Sequence, residues 1–143
     1  MKFETERDRK RQTNALIRLC YEFNLNFIEK ETDAYIDAVI RDNADTKDVA
    51  YAEVKGVVGK EINKSNNVII ALRKLFRGQE LSIQKNLPVC FIWSFDDGIG
   101  YIWLKDIEGS VKQGGRAIVR EGSTHDRELM VKISVEHLKF LYF

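Results

Sequence analysis

AYIDAVI (34–40), RDNADTKD (41–48) and VAYAEVKGV (49–57) follow one another: two apolar-rich runs flank a polar loop, the pattern of a β-hairpin. Side chains alternate across a strand. Tyr35, Asp37 and Val39 therefore share one face of the first run, and Val49, Tyr51, Glu53 and Lys55 share one face of the second. A hairpin closed around Asp45 sets Asp37 opposite Glu53 and Val39 opposite Tyr51. On the reverse face it sets Ile36 against Val54, Ala38 against Ala52 and Ile40 against Ala50. That reverse face is apolar with small centres, suited to a packed helix.

The front face brings two carboxylates to within about 5 Å at Cβ, and like charges placed opposite each other are destabilising. Such a pair either raises one carboxylate's pKa or binds a cation. Mg²⁺ accepts one or two carboxylates, keeps waters and takes a phosphate oxygen. Lys55 points the same way as Glu53, where its ammonium can position a water or stabilise phosphate charge. The chemistry implied is metal-assisted hydrolysis of a phosphodiester. The bland alternative is a solvated face with an ordinary cross-strand ion pair. Two features favour the site: Asp37 interrupts an apolar strand, and Glu53-Val54-Lys55 ends a strand directly before Gly56.

Outward from the hairpin, the pattern predicts a helix over 5–23, with Ala15, Leu16, Leu19, Cys20 and Phe23 on one stripe. Thr5 followed by Asp8 resembles a capping box. The next two turns carry no apolar residue, so they overhang the core or face a polar cleft. NFIEKE (26–31) reads as the first strand. A second helix is expected from Ser65 through Val68, Ile69, Leu72, Leu75 and Phe76, ended or kinked at Gly78 or continued by QELSIQK. VCFIWSF (89–95) reads as a strand buried on both faces, followed by the turn Asp96-Asp97-Gly98 and a strand IGYIWL (99–104). Strands near 117–120 and 129–135 and the apolar end LKFLYF form an expected C-terminal β extension. The whole reads as an α/β chain with a mixed central sheet flanked by helices.

The 143 residues are one domain's worth, and the expectation is a single domain over 1–143. Hydrophobic content of 44% with 31% charged residues is ordinary globular composition. No apolar run approaches the roughly 18–20 residues of a membrane span. MKFETERDRKRQ carries no apolar h-region, so no secretory signal is expected. Cys20 and Cys90 lie in apolar stretches without metal-like spacing, as buried reduced thiols of a cytoplasmic protein. Net charge is +1, so charge alone does not announce a nucleic-acid binder. Basic residues nonetheless cluster at Arg7, Arg9, Lys10 and Arg11, and at Arg73, Lys74 and Arg77. Each cluster alone reads more readily as a solvated face than as a phosphate contact.

YIDAVI, a loop, then YAEVKG resembles the bipartite Asp…Glu-x-Lys signature of the restriction-endonuclease-like, or PD-(D/E)XK, nuclease superfamily. The core of that superfamily is helix, three strands, helix, strand, the order read above for residues 5–95. The resemblance implies Asp37 and Glu53 as metal ligands, the Val54 carbonyl as a third, and Lys55 beside the attacking water. Mg²⁺ is the implied cofactor, with Mn²⁺ able to substitute, and DNA the implied substrate, with RNA an alternative. No proline precedes Asp37, a position often relaxed in the family. Many members place a glutamate on the first helix. Glu4 and Glu6 are the candidates, with Asp8 behind them, and helical geometry does not choose between them.

Secondary candidates are Arg73 and Lys74 on the second helix, and a loop of Gly114, Gly115 and Arg116 with Arg120, all for the substrate backbone. Gln84 reads more simply as an exposed helix-end residue. Trp93, Trp103, Tyr101 and Phe95 read as core or interface. His125 and His137 have no partner at ligand spacing.

The leading reading is a Mg²⁺-dependent endonuclease acting on DNA structure: junction resolution, nicking or end processing. Homodimer formation through LKFLYF and the apolar hairpin 89–104 would give one active site per strand. The alternative is a catalytically silent nucleic-acid-binding or assembly module on the same fold. The intact trio Asp37, Glu53 and Lys55 separates the two, since a degenerate copy would have lost one.

Overall fold

Residues 6–30, 36–107, 110–115 and 127–143 are described by the structure, a computed structural model; for 110–115, 127 and 128 it describes the backbone only. Glu4, Thr5, Tyr35, Arg116, Arg120, His125 and the strand expected near 117–120 lie outside those residues.

Helix α1 (Glu6–Phe23) buries Ala15, Leu16, Leu19 and Cys20 along the expected stripe. Asn24 takes the left-handed conformation at φ 54°, and the Leu25 N–H turns back to the Cys20 carbonyl at 2.9 Å, closing the helix. β1 (Asn26–Glu29), β2 (Ala38–Arg41) and β3 (Asp48–Gly56) follow as an antiparallel meander. The register of β2 on β3 pairs Ala38 with Ala52, Val39 with Tyr51 and Ile40 with Ala50, as a loop centred on Asp45 requires. Asp42 organises that loop by accepting from the Thr46 N–H at 2.7 Å and the Thr46 hydroxyl at 2.6 Å.

β4 (Asn67–Ala71) runs directly into α2 (Leu72–Lys85), and then come β5 (Val89–Ser94) and β6 (Gly98–Trp103). β7 (Ser110–Gly115), β8 (Arg127–Ser134) and β9 (Lys139–Tyr142) complete the described chain. Six strands form the central sheet in the order β1-β2-β3-β5-β6-β9, antiparallel except for β3 beside β5. A second sheet has the order β4-β8-β7. α1 covers one face of the central sheet, over Ala38, Ile40, Ala50, Ala52, Cys90 and Ile92. The opposite face carries Val39, Tyr51, Phe91 and Trp93 against Val68, Ile70, Val131 and Ile133 of the second sheet. The Trp93 indole ties the two layers by donating to the Ile69 carbonyl at 3.0 Å.

Three expectations are corrected. The second helix begins at Leu72 rather than Ser65, because the β-branched run Asn67–Ala71 pairs with β8. Gly78 neither ends nor kinks α2. It is buried, and a Cβ there would stand 3.1 Å from the Phe91 ring, so its bare backbone lets the helix rest on β5. The helix stops instead at Asn86, left-handed at φ 52°, just before Pro88. The third correction concerns surfaces: hairpin 89–104 lies inside the central sheet with Trp93, Phe95 and Tyr101 buried, and the C-terminal run pairs with β6 as β9. Those apolar side chains serve the chain's own core, and only its last residues, Tyr142 and Phe143, are exposed there. Among the described residues no helix is long and apolar enough to cross a membrane.

Candidate active site

β2 begins at Ala38, so Asp37 lies in the bend that precedes it. Its carboxylate continues the ladder where the backbone leaves off: Oδ2 accepts the Val54 N–H at 2.7 Å. Across the gap, the Lys30 N–H reaches the Asp37 carbonyl at 2.8 Å, so β1 holds the bend from the other side. The bend also corrects the expected alternation. Ile36 packs with Val39 and Tyr51 on the front face instead of meeting Val54 on the reverse one.

Glu53 is 6% exposed and Asp37 9%. Burial pushes the Glu53 carboxyl up to about 7, and the charge of neighbouring Asp37 and a hydrogen bond to it add to the rise. Lys74 opposes the rise from α2, its ammonium donating to Glu53 Oε1 at 2.6 Å. Lys55 is half-buried on the strand face of Glu53, and both line a cavity of about 180 Å³ with Arg73 and Lys74. Among the described residues three cations and one carboxylate thus line that space. A second cavity of about 320 Å³ also borders the Glu53–Lys74 pair, lined by Ile36, Arg77 and Gln84 among others.

The structure brings Asp37, Glu53, Val54, Lys55, Arg73 and Lys74 to one end of the parallel strands. Glu6 is exposed in the first turn of α1 and lines none of the cavities around Glu53 and Val54. Asp8 does line one, together with Val54, Gly56 and Gln12. Sequence reasoning did not anticipate that Lys74 would reach Glu53. Nor did it single out Glu29, whose carboxylate accepts from Thr13 at 2.6 Å and from Gln12 at 3.2 Å and fastens β1 to α1 beside the Asp37 bend. Glu29 ends its strand facing a helix with two polar residues in sequence, Gln12-Thr13, on an otherwise apolar stripe. That polar break was the available signal.

The donors suit a hard divalent cation. N–H and C=O of one strand residue face the same edge, so the Val54 carbonyl opens towards the edge where its N–H meets Asp37. Two carboxylates and a carbonyl are oxygen ligands of the kind Mg²⁺ takes alongside waters. Among the described residues no group of three or more His, Cys, Asp or Glu side chains forms.

No curated protein matches the chain by sequence. Among solved structures the fold is similar to that of Hjc, a Holliday junction resolvase from the archaeal hyperthermophile Archaeoglobus fulgidus. The TM-score is 0.58 at 10% identity, over 92% of this chain and 87% of that one. At so low an identity the likeness speaks for the fold, which is restriction-endonuclease-like. A family model described as "phage putative PDDEXK endonuclease" matches residues 1–141. By that match across nearly the whole sequence, with Asp37, Glu53 and Lys55 gathered at one strand end, the chain belongs to the PDDEXK endonuclease family.

Proposed function

We propose that the chain is a divalent-metal-dependent endonuclease that hydrolyses phosphodiester bonds in branched or nicked DNA, with Mg²⁺ as its ion and Mn²⁺ able to replace it. The observation that carries this reading is the contact of Asp37 with the Val54 N–H beside the buried Glu53 carboxylate. Asp37, Glu53 and the Val54 carbonyl would hold the ion, which when bound supplies Lewis acidity to the phosphate and lowers the pKa of water. Lys55 orients the attacking water from the same strand face. Arg73 and Lys74 receive the non-bridging phosphate oxygens as negative charge grows on them. Water adds its oxygen to phosphorus, the bond to one sugar oxygen breaks, and that oxygen leaves with a proton. Of the described acids Glu6 and Asp8, Asp8 shares a cavity with Val54 and is the better placed to hold a water at the site.

The fold shared with a Holliday junction resolvase supports a substrate recognised by shape. A homodimer would give one active site per strand. Sedimentation showing only monomer at micromolar concentration would remove that part. The two buried, unpaired thiols, Cys20 and Cys90, fit a reducing compartment such as the cytoplasm.

The test is incubation of the chain with supercoiled plasmid and with a four-way junction, in Mg²⁺, Mn²⁺ or chelator. Cleavage with either ion, none with chelator, and none by Asp37→Asn or Glu53→Gln supports the reading. Binding without cleavage under every condition overturns it.

A further inference from the structure

On α1, Arg7, Lys10, Arg11 and Asn14 recur at the spacing of one helical face. They line a cavity of about 400 Å³ with Ser94, Phe95, Asp96 and Phe143. Among the described residues three basic side chains and one acidic side chain line it, and that acid is already engaged: Asp96 Oδ1 accepts from Arg11 at 3.1 Å and from the Gly59 N–H at 3.2 Å. Arg11 also donates to the Ser94 carbonyl at 3.2 Å.

The floor of the cavity holds an unexplained group. Ser94 is 1% exposed, and its hydroxyl has no hydrogen-bond partner among the described residues. Buried hydroxyls are ordinarily satisfied, and an orphan among cations suggests a missing acceptor. Gly56, the residue that closes YAEVKG, explains how Arg11 reaches this place. A Cβ on Gly56 would stand 3.2 Å from the Arg11 side chain, so the bare backbone lets the arginine cross β3. Gly56 and Ser94 are register partners on the parallel pair β3 and β5. The cavity therefore opens at the same strand end as Glu53 and Lys55, on the α1 side of the sheet.

We propose that Arg7, Lys10, Arg11, Asn14 and Ser94 form a second phosphate subsite, which binds a backbone phosphodiester of the DNA away from the bond that is cut. The inference rests on the reading of the ligand as DNA. One strand of the substrate crosses the end of the sheet, with the scissile phosphate on the Lys55 side and a neighbouring phosphate on the α1 side. Arg7, Lys10 and Arg11 supply charge, and Ser94 donates its hydroxyl to a phosphate oxygen.

The test measures binding of a labelled duplex and a labelled four-way junction to the full chain in chelator, across a salt series. Arg7→Gln with Lys10→Gln should weaken binding by about tenfold or more and reduce the slope of log affinity against log salt by about 2. Ser94→Ala should weaken binding up to about tenfold while leaving the melting temperature unchanged or higher. Lys85→Gln, at the far end of α2, should change neither affinity nor slope. Wild-type affinity and slope in the Arg7/Lys10 double variant overturn the subsite, and so does an equal loss in Lys85→Gln. Undiminished binding by Ser94→Ala removes the serine from it. Plasmid cleavage is scored separately. If wild type does not cleave but the Arg7/Lys10 dependence of binding holds, the nuclease reading fails and the subsite stands. If it cleaves and the dependence is absent, the reverse is true.

Discussion

The two faces of the central sheet are built from the same strands and do opposite things. Under α1 the hairpin presents Ala38, Ile40, Ala50 and Ala52 to Leu16, Leu19 and Cys20, a dry contact without a buried charge. On the front face the same two strands carry Val39 and Tyr51, and at their open end the bend before β2 brings Asp37 beside Glu53. Alternation permits this division: each residue placed on one face leaves its neighbours to the other. The α1 face stores stability. The front face gives some of it up to hold two acids together in a place that water barely reaches.

The sharpest way to break that division is chemical. Asp37→Asn should reduce cleavage by about 10³-fold or more, because the side chain proposed to hold the metal loses its charge. The folded state should survive, since the amide oxygen can still accept the Val54 N–H. Circular dichroism and a plasmid assay on the same sample check both halves. Leu16→Ala, fully buried on the α1 face, should do the reverse. It should destabilise the protein by about 3 kcal/mol in urea and leave the metal dependence of cleavage unchanged at temperatures where it is folded.

The cost of the front face is itself measurable. In the metal-free protein Glu53 is raised from its ordinary 4.5 to about 7 by burial and by the Asp37 charge. The folded state then holds this proton more tightly than the unfolded chain. Stability is full below pH 4.5 and falls as pH rises to about 7, by about 3 kcal/mol from this group alone. Glu53→Gln should flatten that fall, as should saturating Mg²⁺, and urea melts at pH 5 and pH 8 report it. Parallel losses in wild type and variant would show that Glu53 is not the group responsible. The smallest effect separates chemistry from binding. Lys55→Ala should lower kcat about 10²-fold with little change in KM. A rise in KM alone would make Lys55 a substrate-binding residue and nothing more.

The two faces also differ in how much of them was legible beforehand. The hairpin register could be read because its loop is polar, its flanks alternate, and its partners are close in sequence. Ala38 against Ala52 follows from the loop's midpoint. Residues 67–71 could not be read in this way. Val68, Ile69, Leu72, Leu75 and Phe76 satisfy a helical stripe, and what makes the first part a strand is β8, some sixty residues later. The closeness of Asp37 and Glu53 followed from the same local pattern, but the bend that takes Asp37 out of the ladder and onto the Val54 N–H did not. The Lys74 contact was not, since it depends on where α2 starts and on Gly78 letting that helix down onto β5.

Lys74 holds Glu53 where the proposed divalent cation would bind, and a crystal grown with Mn²⁺ and examined by anomalous diffraction decides between them most directly. The expected result is a peak within direct coordination distance of a carboxylate oxygen of Asp37 and of Glu53 and of the Val54 carbonyl, with the Lys74 ammonium withdrawn from Glu53. An empty difference map with Lys74 still seated on Glu53 at saturating Mn²⁺ would contradict it.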